Sequence, residues 1–268
     1  MKYSNLLLVA ASLLHYAKGA PAPSSSAAPS SAPSSIFTLD EQLELATTQV
    51  ERIEILVENG GNSSFLFDFN NPPDSAVISS SSGSIVTAVG GTFPALLGLD
   101  SSIFKFTVGP CGLIVPHLHP RADEFILTVE GTIHTQFLTE TGSTIVTNDV
   151  NTWQSTIFPK GSIHFEMNPT CEPAIFIGSF NSNDPGTSAV APNFFSLDDN
   201  ALEGAMGGVV SPAELDSIRA GLPPTPIALV EACMAACSNN STTTSPTTTT
   251  LTTTTITTTV TATNSTSC

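Results

Sequence analysis

The chain has 268 residues, seven Lys+Arg against 23 Asp+Glu, and a formal charge of −16. So acidic a surface repels phosphate-rich partners, which argues against nucleic acid and anionic membrane as ligands. Five cysteines, an odd number, leave at least one without a partner in the same chain.

Met1-Lys2 is a short basic start, Leu6 to Leu14 is an apolar run, and Ala17-Lys18-Gly19 supplies small residues for cleavage. This pattern predicts a secretory signal peptide over residues 1–19, too short to span a bilayer. Without Lys2 and Lys18, five basic residues face the 23 acidic ones, a charge of −18. Residues 20–38 are Pro/Ser/Ala-rich and are expected to form a disordered leader. Residues 238–268 are Thr/Ser-rich, as in an O-glycosylated stalk. No closing apolar tail of roughly 10–20 residues, as a lipid-anchor signal requires, ends the sequence. The expected location is therefore extracellular, either released or held in the cell wall or matrix. Sequons at Asn62, Asn239, Asn240 and Asn264 fit export.

Residues 39–237 are expected to form one domain. Short runs such as SIFKFTVG, CGLIVPHLH, EFILTVEG, TIHTQFL and AIFIGSF are rich in Val, Ile, Phe and Thr and divided by Gly, Pro, Asn and Asp. Many short strands with no helical period between them predict an all-β sandwich or barrel. From about residue 197 the pattern turns helical. Ser211, Pro212 and Glu214 form a capping box, and Gly221 and Pro223 stop that helix. A second helix is expected over roughly Ile227 to Cys237.

His117 and His119 lie two apart, so on a strand they point to the same side. Neutral imidazoles that close can share a cation. Glu124 sits at an odd offset, but Pro120-Arg121-Ala122-Asp123 can turn the chain and let Glu124 open the next strand facing back. Gly131 permits the turn that follows. Further on, Pro159 and Gly161 make a turn that places His164 on a new strand, where His164, Glu166 and Asn168 share one face. His134 stands alone and is read as an ordinary histidine. Three imidazoles and a carboxylate suit Mn, Fe, Zn, Ni or Cu.

These residues carry a resemblance. PHLHPRADEFILTVEG is similar to the first cupin motif, matched by His117, His119, Glu124 and Gly131. FPKGSIHFEMN is similar to the second, matched by Pro159, Gly161, His164 and Asn168. The chain resembles germin-like proteins, and among them the fungal and slime-mould branch that includes the spherulins. The resemblance implies a cupin jelly-roll β-barrel with C-terminal α-helices that drive homo-oligomerisation. It also implies a metal, usually manganese, on His117, His119, Glu124 and His164.

Departures from the family pattern narrow the chemistry. Cys111 and Trp153 stand where the two motifs usually open with Gly. Plant germins with oxalate oxidase activity have cavity asparagines where this chain has Ile114 and Phe104. Neither side chain can hydrogen-bond a carboxylate, which disfavours oxalate oxidase or decarboxylase chemistry. Glu166, where plant germins often have Gln, is a candidate catalytic acid or base. Arg121 is expected in an ion pair or subunit contact. A disulfide between Cys111 and Cys171 is open if a bulge near Pro169 corrects their face parity. The expected function is a secreted metal-binding protein with superoxide dismutase-type redox activity. Its rival is a non-enzymatic wall, spore or storage protein of the spherulin kind.

Overall fold

A computed structural model describes residues 37–241. The expected signal peptide, the leader up to residue 36, and the tail from 242, with Asn264, lie outside the described residues. Two six-strand antiparallel groups face each other, as two-layer β folds require when each sheet has one apolar face. The first runs β1 (Val77–Ser80), β2 (Gly83–Ala88), β3 (Ser102–Val108), β10 (Ala174–Phe180), β5 (Glu124–Glu130) and β8 (Ser155–Phe158). The second runs β11 (Ser188–Ala189), β4 (Gly112–Leu118), β9 (Ile163–Met167), β6 (Thr132–Leu138) and β7 (Val146–Asn151), and β12 (Ile227–Leu229) also pairs with β4. The all-β architecture expected from the short strands is therefore present, in the jelly-roll form that the family resemblance implies.

Alternation selects the core. Along β10, Ala174, Phe176, Gly178 and Phe180 face inward while Ile175, Ile177 and Ser179 are only partly covered. Phe106 and Phe176 stack with ring centroids 4.2 Å apart, and Phe104 meets Phe180 at 4.5 Å. Ile126, Ile133 and Phe158 close the middle of the core. On β9 the inward face is the polar one: His164, Glu166 and Asn168 are buried, whereas Ile163, Phe165 and Met167 are half-buried outside.

Two N-terminal helices, α1 (Leu39–Leu45) and α2 (Gln49–Gly60), precede the sheets. Each starts in a capping box, Thr38 with Glu41 and Thr48 with Glu51. The Thr-x-x-Glu spacing of both is a legible helix start that the strand-based reading passed over. Beyond β11 come α3 (Val190–Phe195), α4 (Asp199–Ala205) and α5 (Pro212–Gly221), the last with the expected capping box of Ser211 and Glu214.

The expected helix over Ile227 to Cys237 is corrected. Ile227–Leu229 is β12, which pairs with Ile114, Leu113 and Gly112, and the helix α6 spans Glu231–Ser241. The edge of β4 would otherwise expose unpaired backbone groups, so a short added strand is the better use of an apolar Ile-Ala-Leu run.

The disulfide between Cys111 and Cys171 is also corrected. Cys111 pairs with Cys233 and Cys171 with Cys237. Residues 233 and 237 are one turn apart on α6, so both thiols share a face and reach the two neighbouring chain ends at once. Cys111 and Cys171 do lie close, since the Cys111 N–H donates to the Thr170 carbonyl at 3.1 Å. Their side chains are directed to the helix instead. The fifth cysteine, Cys268, lies outside the described residues.

Cys111 (φ 55°) and Trp153 (φ 63°) are the two described non-glycine residues with left-handed backbone. Both occupy the motif-opening positions where glycine is usual. The turns need that conformation whatever the side chain, and here they carry the strain of a Cβ.

Candidate metal centre

The four expected ligands come from three strands and a turn. A register shift between Ile114 and His117 puts His117 of β4 directly opposite His164 of β9. Such a bulge re-aims a side chain beside a site. His119 follows the end of β4, and the turn after it brings Glu124 in as the first residue of β5. All four side chains are buried. Their ligand atoms lie within 4.8 Å of one another, a set that could hold a metal ion.

Each imidazole is held by its other nitrogen. Nδ1 of His117 bonds the Val115 carbonyl at 2.9 Å, Nδ1 of His164 the Ser162 carbonyl at 2.9 Å, and Nδ1 of His119 the Gly186 carbonyl. A carbonyl only accepts, so each Nδ1 carries the proton and each Nε2 presents a lone pair inward. Rings pack the imidazoles in place. Phe158 stacks on His164 at 4.3 Å, and Phe180 meets the His119 ring edge-on at 4.7 Å.

The inward atoms are arranged to fit a cation. The His164 Nε2 and Glu124 Oε2 are 3.0 Å apart, and the His119 Nε2 and Glu124 Oε2 are 3.1 Å apart. With Nδ1 protonated, these are lone pairs facing lone pairs, an arrangement that needs a positive charge between them. The His119 Nε2 and Glu124 Oε1 make no hydrogen bond at all. Buried polar atoms of this kind are costly unless something satisfies them.

The electrostatics agree. Burial, then the neighbouring His164, lowers the His117 pKa to about 3, so this ring is neutral at any ordinary pH. Burial works against ionisation of Glu124, but positive charge at the facing His119 and His164 Nε2 atoms outweighs it and brings its pKa down to about 2; with the protons on Nδ1, a bound cation is what supplies that charge. Glu166 behaves oppositely. Burial, then the charge of Glu124, raises its pKa well above the usual carboxylate range. Both of its carboxyl oxygens are buried and unpartnered, with Oε1 3.8 Å from His164 Nε2.

The remaining site residues separate by function. Asn168, the last motif residue, belongs to the scaffold. Its amide bonds the carbonyls of Val108, Gly109 and Glu172, and its oxygen accepts from Thr170. His134 bonds Asp149 at 2.6 Å on the far side of β6, apart from the cluster. Arg121 makes the expected ion pair, with Asp184 at 2.7 Å. Asn62 and Asn239 are exposed; Asn240 lies within α6. Sequence reasoning missed the backbone carbonyls that orient the rings, since carbonyls leave no mark in a sequence. It also missed the apolar cavity beside His117 and His119.

A jelly roll that converges three imidazoles and a carboxylate in its interior defines a cupin. The chain belongs to that family: residues 67–204 match the cupin family model. It is 34% identical over 215 residues to spherulin-1A of Physarum polycephalum, covering 80% of this chain and 82% of that protein. It is 38% identical over 154 residues to germin-like protein subfamily 2 member 3 of Arabidopsis thaliana, covering 56% and 69% respectively. The fold is similar to that of an oxalate oxidase solved with the substrate analogue glycolate, with a TM-score of 0.54 at 20% identity. That match covers 61% of this chain and 83% of that one. Among the described residues, no helix is long and apolar enough to cross a membrane.

Proposed function

We propose that the protein is a secreted germin-like cupin that binds manganese through His117, His119, Glu124 and His164 and turns over superoxide. The observation that carries this reading is the convergence of four buried ligand atoms within 4.8 Å, with His119 Nε2 and Glu124 Oε1 unpartnered and each ring locked by its Nδ1 bond. Manganese is favoured over Fe, Zn, Ni or Cu by the resemblance to germins, since the donor set of imidazoles and a carboxylate suits all five. When bound, such a metal supplies one-electron redox chemistry.

The protein's own groups do the rest. Glu124 enters as an anion and reduces the net charge of the site. Burial and the charge of Glu124 push the Glu166 carboxyl toward its protonated form, which favours a proton held beside the centre. Dismutation of two superoxide ions consumes two protons as it yields dioxygen and hydrogen peroxide, and Glu166 is placed to deliver one of them. Ile114 and Phe104 leave no hydrogen-bond donor for a second carboxylate, which is why oxalate is disfavoured.

A non-enzymatic role in wall, spore or storage material is the second reading, favoured by the acidic balance and the Thr-rich tail. Either role fits a homo-oligomer. Ile103, Phe125 and Ile157 are exposed and lie in register across the outer face of β3, β10, β5 and β8. Residues 39–237 would be the functional unit.

Natively secreted protein should contain about one manganese per chain by elemental analysis and give a Mn(II) EPR signal. Glu124→Gln should lower metal retention by 10–100-fold. Chelation should lower the melting midpoint of the native protein and leave that of Glu124→Gln unmoved. Superoxide turnover with full manganese supports the enzyme. Full occupancy without turnover gives the non-enzymatic reading, and protein without any metal ends both.

A further inference from the structure

The cavity next to the candidate metal centre is unlike one built for a small dianion. It has a volume of ≈ 230 Å³ and reaches the His117 and His119 side chains. Its deep wall is apolar: Phe104, Phe106, Ile85 and Ile114 are all buried. Among the lining side chains apart from the histidines, Thr87, Thr187 and Asp184 are polar, and Thr187 and Asp184 are exposed. No Lys or Arg lines it. Arg121, the nearby cation, has its guanidinium engaged by Asp184 through both side chain and carbonyl.

Three consequences follow. Beyond the metal itself, a dianion such as oxalate would meet no compensating cation in the wall, and its second charge would approach a chain of charge −16. A small polar ligand would lose its hydration against Phe and Ile without new hydrogen bonds. A ligand with an apolar body gains from the same wall, because its surface leaves water as it contacts the rings. A cavity of about 150 Å³ is enough for benzene, so 230 Å³ holds one ring together with a short polar head.

Resting on the metal reading above, we infer that this site takes an uncharged molecule of about one aromatic ring whose two adjacent oxygens face His117 and His119. The ring lies against Phe104, Phe106 and Ile114. Ligands of the oxalate type are the wrong class for this wall.

The test compares three probes on the purified full chain, by calorimetry and by shift of the melting midpoint. Benzohydroxamic acid has the ring and the oxygen pair, acetohydroxamic acid has the oxygen pair alone, and oxalate is the dianion. Metal content is measured on the same sample. The expected result is at least tenfold tighter binding of benzohydroxamic than of acetohydroxamic acid, with oxalate weakest. Phe104→Asn should reduce that ratio toward one; Ile85→Ala serves the same purpose if the asparagine variant does not fold. Equal binding of the two hydroxamic acids, or a preference for oxalate, in metal-loaded protein overturns the inference and leaves the metal reading intact. Retention of the ring preference in protein that holds no metal ends the metal reading and the placement of the oxygens, while the apolar pocket stands.

Discussion

Strands β4 and β9 lie side by side, and their two ends treat buried polar groups in opposite ways. At the Cys111 and Asn168 end, everything is satisfied. Asn168 spends its amide and its oxygen on the backbone of two segments, Val108-Gly109 and Thr170 to Glu172, and two disulfides tie the same region to α6. At the His117 and His164 end, the outer nitrogens are satisfied, while His119 Nε2, Glu124 Oε1 and both Glu166 carboxyl oxygens are left bare. Both ends carry residues of one sequence motif. Satisfaction, rather than membership of the motif, separates the residue that holds the fold from those placed to hold something else.

If that contrast is right, the two ends respond separately to mutation. The largest effect belongs to the staple. The Cys111–Cys233 bridge spans a sequence separation of 122, and replacing both cysteines by serine should cost about 4–5 kcal/mol of stability. A urea midpoint measures it. Protein that still folds should keep its metal stoichiometry; parallel loss of metal would mean that the ends are one cooperative unit.

Next is Asn168→Ala, which strands three carbonyls and two Thr170 donors near the same closed end. About 3 kcal/mol should be lost, again read from denaturant unfolding, with metal content unchanged. An equal loss of metal and stability would collapse the distinction between Asn168 and the ligands.

The smallest effect sharpens the role of backbone strain. Trp153 is 73% exposed and takes a left-handed φ of 63°. Trp153→Gly should raise stability by up to about 1 kcal/mol, because relief of the Cβ clash exceeds the packing lost. A drop in the thermal midpoint would show that the indole contributes more than its exposure suggests. Cys111 has the same backbone, but its thiol is committed to a disulfide, so glycine there should destabilise.

Much of this was legible residue by residue. The pairing of His117 with His119 follows from the two-residue period of a strand. The return of Glu124 follows from Pro120 and the turn after it. The inward face of β9 was also readable as a set, His164, Glu166 and Asn168. Which of the two faces turned inward was less obvious, because the apolar one, Ile163, Phe165 and Met167, lies outside. The Thr38 and Thr48 capping boxes were in plain view and went unread for want of a strand pattern around them.

The chain by itself determined the local periods, the turns and the chemical types at each position, since those depend on neighbours a few residues away. It thereby specified the β architecture and the identity of the candidate ligands. Tertiary structure alone decided which cysteines met, because α6 brings Cys233 and Cys237 within bonding distance of Cys111 and Cys171 across sequence separations of 122 and 66. It also decided that Ile227–Leu229 became a strand, since the open edge of β4 competes with the local helical pattern. The bare or satisfied state of each buried polar atom is likewise a property of packing. The groups that satisfy them are backbone carbonyls, which every residue has and no sequence distinguishes.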